Sequence, residues 1–97
     1  MSIHLFFAIK DSNFGGKKHD VTRQVYEKYP GACFYERLTE IFDNGSNYFL
    51  NKPMENVIYV IGEQTKESEM KRDIVLVLRR YGINFEIQSF VSSVKDV

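Results

Sequence analysis

Cysteine, histidine, proline and tryptophan are scarce in this sequence of 97 residues, which contains one cysteine, two histidines, two prolines and no tryptophan. The single cysteine, Cys33, has no partner for a disulfide within the chain, which is typical of proteins from reducing compartments. His4 and His19 do not show the short spacings of zinc ligands, and Cys33 has no nearby partner histidine. We therefore expect neither a disulfide framework nor a zinc centre.

An excess of charge of either sign is also missing, because 13 basic residues balance 13 acidic ones. A neutral chain has no overall field that attracts nucleic acids or an anionic membrane surface, so we expect neither as a partner. The apolar run from Ile3 to Ile9 is too short to span a bilayer, or to supply a signal-peptide core with its cleavage site. We expect a cytoplasmic protein with a single domain over residues 1–97.

Strand patterns are present in three places. The chain is 43% hydrophobic and 14% aromatic, which is the composition of a folded domain. Residues 3–9 and 57–61 are apolar at nearly every position, which is typical of central strands that are covered on both faces. Residues 83–91 alternate apolar and polar side chains, so they predict a strand with one solvated face.

Helical patterns frame these strands. Residues 21–29 follow a possible N-cap at Asp20 and place apolar side chains at helical spacing. Residues 66–81 carry a single apolar stripe, and Gly82 supplies a C-terminal stop. Both segments therefore predict amphipathic helices.

The middle of the chain is harder to interpret, because its composition favours a strand and its spacing favours a helix. In residues 34–42, apolar side chains fall at positions i, i+1, i+4, i+7 and i+8, which is one face of a helix. Asn44 and Gly45 then provide a left-handed stop. We predict a helix here, followed by a short strand at residues 47–50.

The resulting order is strand, helix in two pieces, short strand, strand, helix, strand. This order predicts an α+β protein, a two-layer ferredoxin-like βαββαβ sandwich with a split first helix, in which the first and third strands are central and the other two lie at the edges. The alternative is a small three-layer α/β sheet with a parallel βαβ unit over residues 57–91. In both arrangements we expect strands 3–9 and 57–61 to lie side by side and to run in the same direction.

The stretch KDSNFGGKKHD, directly after the first strand, resembles a phosphate-binding loop only in part. A Walker loop requires G-x-x-x-x-G-K-[ST], but Asp11 occupies the place of the first glycine and Lys18 that of the serine or threonine. Anion binding by Gly15, Gly16, Lys17 and Lys18 is a weaker prediction, which rests on the helix start that follows them. We favour a mobile loop with solvated lysines.

Two acidic residues follow the two most apolar strands. If those strands are parallel neighbours, Asp11 and Glu63 emerge at the same end of the sheet and could bind Mg²⁺ through carboxylate oxygens. We favour a second interpretation, in which acidic residues near helix starts only complement the helix dipole.

Aromatic residues are more numerous than one small core requires, with six tyrosines and eight phenylalanines. We predict a partner surface that includes Phe6, Phe14, Tyr48 and Phe90. A two-layer fold also leaves one sheet face uncovered, and this face would be closed either by a second copy of the chain or by the middle helix folding across it.

No catalytic constellation emerges from the sequence. The leading hypothesis is therefore a small non-enzymatic binding or regulatory module without a cofactor, which acts through protein–protein contacts and self-association, with a homodimer as its simplest form. An inhibitor of a larger enzyme is a further possibility of the same kind. The alternative is a Mg²⁺-dependent phosphodiesterase or nucleotide-binding protein that uses Asp11, Glu63 and the loop from Gly15 to Lys18.

Overall fold

The computed structural model describes the backbone of residues 1–43 and 46–92, and the side chains of residues 1–41, 49–50 and 52–91. Four strands and two α-helices make up this part of the chain. Short 3-10 turns at Phe14–Gly16 and Gln64–Lys66 precede the two helices. In chain order the elements are β1 (Ser2–Ile9), α1 (Lys18–Lys28), β2 (Cys33–Asp43), β3 (Ser46–Glu63), α2 (Glu67–Arg80) and β4 (Phe85–Ser92).

The strands form one sheet in the order β2-β3-β1-β4, and all neighbouring strands are antiparallel. An α+β fold with an antiparallel sheet and two helices is therefore confirmed, and β1 and β3 are central as predicted. The expected direction of β3 is wrong, because Ser2 of β1 pairs with Glu63 at the end of β3. A strand that enters through a hairpin runs against the strand before it, and β2 runs in the same direction as β1.

One face of the sheet packs against both helices. Ile3, Leu5 and Phe7 point to this face and are fully buried, and the helices contribute a matching apolar stripe. The buried helix residues in this cluster are Val21, Val25, Met70, Ile74 and Leu78. Removing this apolar surface from water is the main stabilising term of the fold. No helix in the described ranges is long and apolar enough to cross a membrane.

The predicted middle helix, and with it the split first helix, is wrong: Cys33–Asp43 is the strand β2. Leu38 and Ile41 are both buried in one cluster although they are three residues apart. The pairing with β3 shifts between Leu38 and Glu40, and such an irregularity brings residues at a spacing of three to one side of a strand. This shift produced a helix-like spacing in a sequence whose composition favours a strand.

The long hairpin of β2 and β3 extends past the part of β3 that pairs with β1. We call this extension, residues 38–43 and 46–56, the arm, and we call the sheet face opposite the helices the open face. Leu38, Ile41 and Met54 of the arm share a cluster with Phe6 of β1 and Val57 of β3. The arm therefore covers part of the open face, in the place where the sequence suggested a second copy or a helix.

Candidate functional site

Asp11 and Glu63 lie at opposite ends of the sheet, because β1 and β3 are antiparallel. Glu63 is level with Ser2, and Asp11 follows the other end of β1. The Asp11 carboxylate accepts a hydrogen bond from the backbone N–H of Asn13, at 2.9 Å, and so stabilises its own turn. The shared magnesium site that parallel strands would have built is not formed. No group of three or more histidine, cysteine or acidic side chains with metal-binding geometry occurs in the described residues.

Both lysines of the glycine loop contact the protein itself. The Lys17 ammonium donates a hydrogen bond to the backbone carbonyl of Tyr81 at 3.0 Å, near the C-terminal end of α2. The Lys18 ammonium lies 4.4 Å from the centre of the Phe34 ring and 3.8 Å from a Glu36 oxygen. These contacts connect the loop to α2 and β2. Anion binding by Gly15, Gly16, Lys17 and Lys18 stays a prediction, with no contact that supports it.

The predicted aromatic surface divides among different places. Phe14 is buried in the helix-side core, where its ring centre lies 5.8 Å from that of Phe34. Phe6 is also buried, beneath the arm. Phe90 is half-buried beside the arm, and the side chain of Tyr48 falls outside the described residues.

A buried histidine organises the open face near β4. His4 is fully buried, its Nδ1 is hydrogen-bonded to the Tyr59 hydroxyl, and its ring stacks on that of Tyr59. The Phe90 ring lies 5.3 Å from the imidazole centre. The hydrogen bond to Tyr59 satisfies the Nδ1 atom of a histidine that is buried in an apolar face, which is a structural role.

A second polar cluster joins the two helices. The Tyr29 hydroxyl donates a hydrogen bond to Asp73, and the Lys28 ammonium lies 3.4 Å from the other carboxylate oxygen. The hydrogen bond from Tyr29 holds the pKa of Asp73 below its ordinary value; burial opposes this effect, and Lys28 adds to it. Burial and the neighbouring Asp73 carboxylate raise the pKa of Tyr29. The cluster therefore links the end of α1 to α2.

An apolar groove separates the arm from β4. It encloses about 350 Å³, which is at the lower end of the range for small-ligand pockets. Phe49 on the arm is 75% exposed at this groove, which is an unusually high exposure for a large apolar side chain. The groove is lined by Phe6, Ile41, Phe49, Leu50, Met54, Gln88, Ser89 and Phe90.

The outer edge of β4 runs beside this groove. The backbone N–H of Lys10 donates a hydrogen bond to the backbone carbonyl of Asn84 at 2.8 Å, and these two residues lie opposite each other when the β1–β4 register is continued. Hydrogen-bonded and non-hydrogen-bonded pairs alternate in an antiparallel ladder, so the even-numbered residues of β4 face β1. The backbone groups of the odd-numbered residues point to the outer edge, where no described strand pairs with them. These residues are Phe85, Ile87, Ser89 and Val91.

This edge carries little that would discourage pairing. Glu86 is the only charged residue in the sequence FEIQSFVS, which contains no proline and no lysine. Ile87 and Val91 are 38% and 42% exposed, on the helix side of the strand. Native edge strands are usually protected by charges, proline or bulges. The alternation in residues 83–91 predicted an edge strand, but the sequence does not show which backbone groups face outward.

Comparison with known proteins leaves the family open. No family profile matches the sequence, and no curated protein matches it. Among solved structures, the chain is similar to LFR1 1, a de novo designed protein with a ferredoxin fold whose structure was solved by solution NMR. The identity is 22%, the alignment covers 95% of this chain and 83% of that chain, and the TM-score is 0.31. A TM-score of this size supports no conclusion, so the description of the fold rests on the strand order.

Proposed function

We propose that this chain is a small non-enzymatic binding module of the cytoplasm, with a ferredoxin-like βαββαβ arrangement, that acts through protein–protein contacts and self-associates. The strand order β2-β3-β1-β4, with both helices packed on one face, supports the arrangement. The single, exposed Cys33 is compatible with a reducing compartment. The observation that carries the functional proposal is the unprotected outer edge of β4.

Strand addition is the mode of binding that such an edge favours. A partner strand that lies beside β4 gains backbone hydrogen bonds from the odd-numbered residues, and these bonds require no particular partner sequence. Side chains on the open face of the added strand would lie next to the apolar groove between the arm and β4, and this groove would supply selectivity. The exposed Phe49 adds an aromatic contact of the kind that is enriched in interfaces.

Size-exclusion chromatography with light scattering, over a dilution series, tests the proposal. We expect a molar mass above the 11.4 kDa of one chain at high protein concentration, and a decrease towards that value on dilution. A molar mass of one chain at every concentration would contradict self-association.

A further inference from the structure

We infer that the outer edge of β4 binds β4 of a second copy of this chain, antiparallel and centred on Gln88, so that two four-stranded sheets become one continuous sheet. This inference rests on the proposed function, and it adds the identity of the partner and the register of the pairing. It follows from three features of the strand: the phase of its backbone groups, the position of its charge and its difference from the other edge.

The direction in which the backbone N–H and C=O groups of β4 point selects the register of the pairing between the two copies. The groups that point outward belong to Phe85, Ile87, Ser89 and Val91. When two copies meet with Gln88 at the centre, Phe85 opposes the partner's Val91 and Ile87 opposes the partner's Ser89. All four residues then find hydrogen-bonding partners. With the centre at Ile87, Val91 lies beyond the paired segment, and with the centre at Ser89, Phe85 does. The N–H and C=O groups of that residue then form no hydrogen bonds to the partner strand.

The position of the single charge favours the same register. With Gln88 at the centre, Glu86 opposes the partner's Phe90, and no like charges meet. A centre at Glu86 places two carboxylates directly opposite each other, which destabilises an antiparallel pair. The two Gln88 side chains lie opposite each other at the centre, where their amide groups can hydrogen-bond to each other.

The contrast with β2 favours a closed dimer over a chain of subunits. β2 is the other outer strand, and it carries Glu36, Arg37, Glu40 and Asp43 as well as a shift in its pairing. Pairing of β4 with β4 uses the same surface on both copies and leaves the charged β2 edges outside, so assembly stops at two. One strand pair forms a small interface, so we expect a weak and reversible dimer.

Disulfide trapping tests the register directly. The two Gln88 residues form a non-hydrogen-bonded pair, whose Cα atoms lie about 4.5 Å apart in antiparallel sheets, within the range that a disulfide bridges. In a Cys33→Ser background, which removes the exposed native thiol, Gln88→Cys should form a covalent dimer under mild oxidation. Glu86→Cys tests the alternative register that is centred on Glu86. Leu76→Cys, at an exposed position of α2, reports the rate of cross-linking by random collision.

We expect Gln88→Cys to cross-link at least about tenfold faster than Leu76→Cys, because pairing holds the two thiols together at a high effective concentration. Equal rates for the two variants, or the fastest cross-linking for Glu86→Cys, would overturn the inferred register. A chain that light scattering shows to be a dimer, but that does not cross-link through position 88, contradicts only this inference. A chain that stays monomeric in light scattering contradicts the proposed function as well.

Discussion

The two outer strands of the sheet differ in their charge and in the regularity of their pairing. β2 carries four charged residues in eleven, and its pairing with β3 is irregular. β4 carries one charged residue in eight, and its pairing with β1 is regular from Ser92 to Phe85. Charges and irregular backbone are the usual means by which proteins prevent association at a sheet edge. In the part of the chain that the structure describes, β2 therefore carries this protection and β4 does not.

The largest expected effect on self-association comes from proline at an outward-facing position. Ser89→Pro removes an N–H that points away from β1, so it should abolish the dimer in light scattering while the monomer stays folded. The matched control is Gln88→Pro, whose lost N–H faces β1. We expect that variant to lose about 3 kcal/mol of stability in denaturant unfolding, as proline does inside regular structure. Equal stability losses would show that the assigned backbone phase is wrong.

A charge at the β4 edge should have a smaller effect. Ile87→Lys adds the kind of residue that protects natural edge strands. It places two lysines within the paired segment, so we expect dimer affinity to fall by about tenfold or more, which is about 1.4 kcal/mol. Leu76→Lys makes the same chemical change at an exposed position of α2 and should leave affinity unchanged in analytical ultracentrifugation. Similar losses for both variants would assign the effect to net charge.

The protected edge can be tested by removing its protection. The double substitution Arg37→Thr and Glu40→Thr takes two charges from β2 and replaces them with a residue that favours strands. We expect a small fraction of assemblies larger than a dimer at high concentration, because each copy then has two edges that can pair. Glu36, Asp43 and the pairing shift remain, which limits the effect. An unchanged size distribution would mean that the charges do not protect β2.

The Tyr29–Asp73 cluster should affect stability and leave association unchanged. Because the folded state lowers the pKa of Asp73, its contribution is fully present above the unfolded pKa, 3.8, and is lost as the pH falls from there through the lower pKa of the folded state. The pKa of Tyr29 is raised in the folded state, so its contribution is fully present below the unfolded pKa, 10.0, and is lost as the pH rises from there through the higher pKa of the folded state.

Asp73→Asn should therefore cost about 1–3 kcal/mol at neutral pH, as expected for a hydrogen bond to a charged group, and should flatten the acid limb of a plot of Tm against pH. Tyr29→Phe serves as the matched variant that keeps the carboxylate. A full acid limb in Asp73→Asn would assign the acid sensitivity to other carboxylates. A changed dimer affinity would contradict the separation between the helix layer and the β4 edge.

The sequence predicted most elements because their periodicity is undisturbed. The apolar stripe at residues 66–81 corresponds to α2 at Glu67–Arg80, and the alternation at 83–91 corresponds to β4 at Phe85–Ser92. β2 was missed because Leu38 and Ile41 share a cluster at a spacing of three, which arises from pairing with β3 and not from the local sequence. The periodicity of apolar residues along the sequence contains no information about such a shift in strand pairing.

The candidate site could be predicted only in part. The amphipathic character of residues 83–91 correctly indicated an edge strand, and Phe90 does lie beside the groove. The direction of β3 was predicted wrongly, so Asp11 and Glu63 were placed together although they lie at opposite ends. Which residues of β4 face outward depends on the phase set by the bond between Lys10 and Asn84, and that contact spans most of the chain.

Amide hydrogen exchange on β4 at two protein concentrations tests the central claim most directly. At high concentration, in the dimer, we predict slow exchange for the amides of Phe85, Ile87, Ser89 and Val91. On dilution these amides should become fast, while those of Glu86 and Gln88, which face β1, should stay slow. If the odd-numbered amides exchange at the same rate at both concentrations while light scattering shows a change from dimer to monomer, the copies associate elsewhere and the account of the β4 edge is wrong.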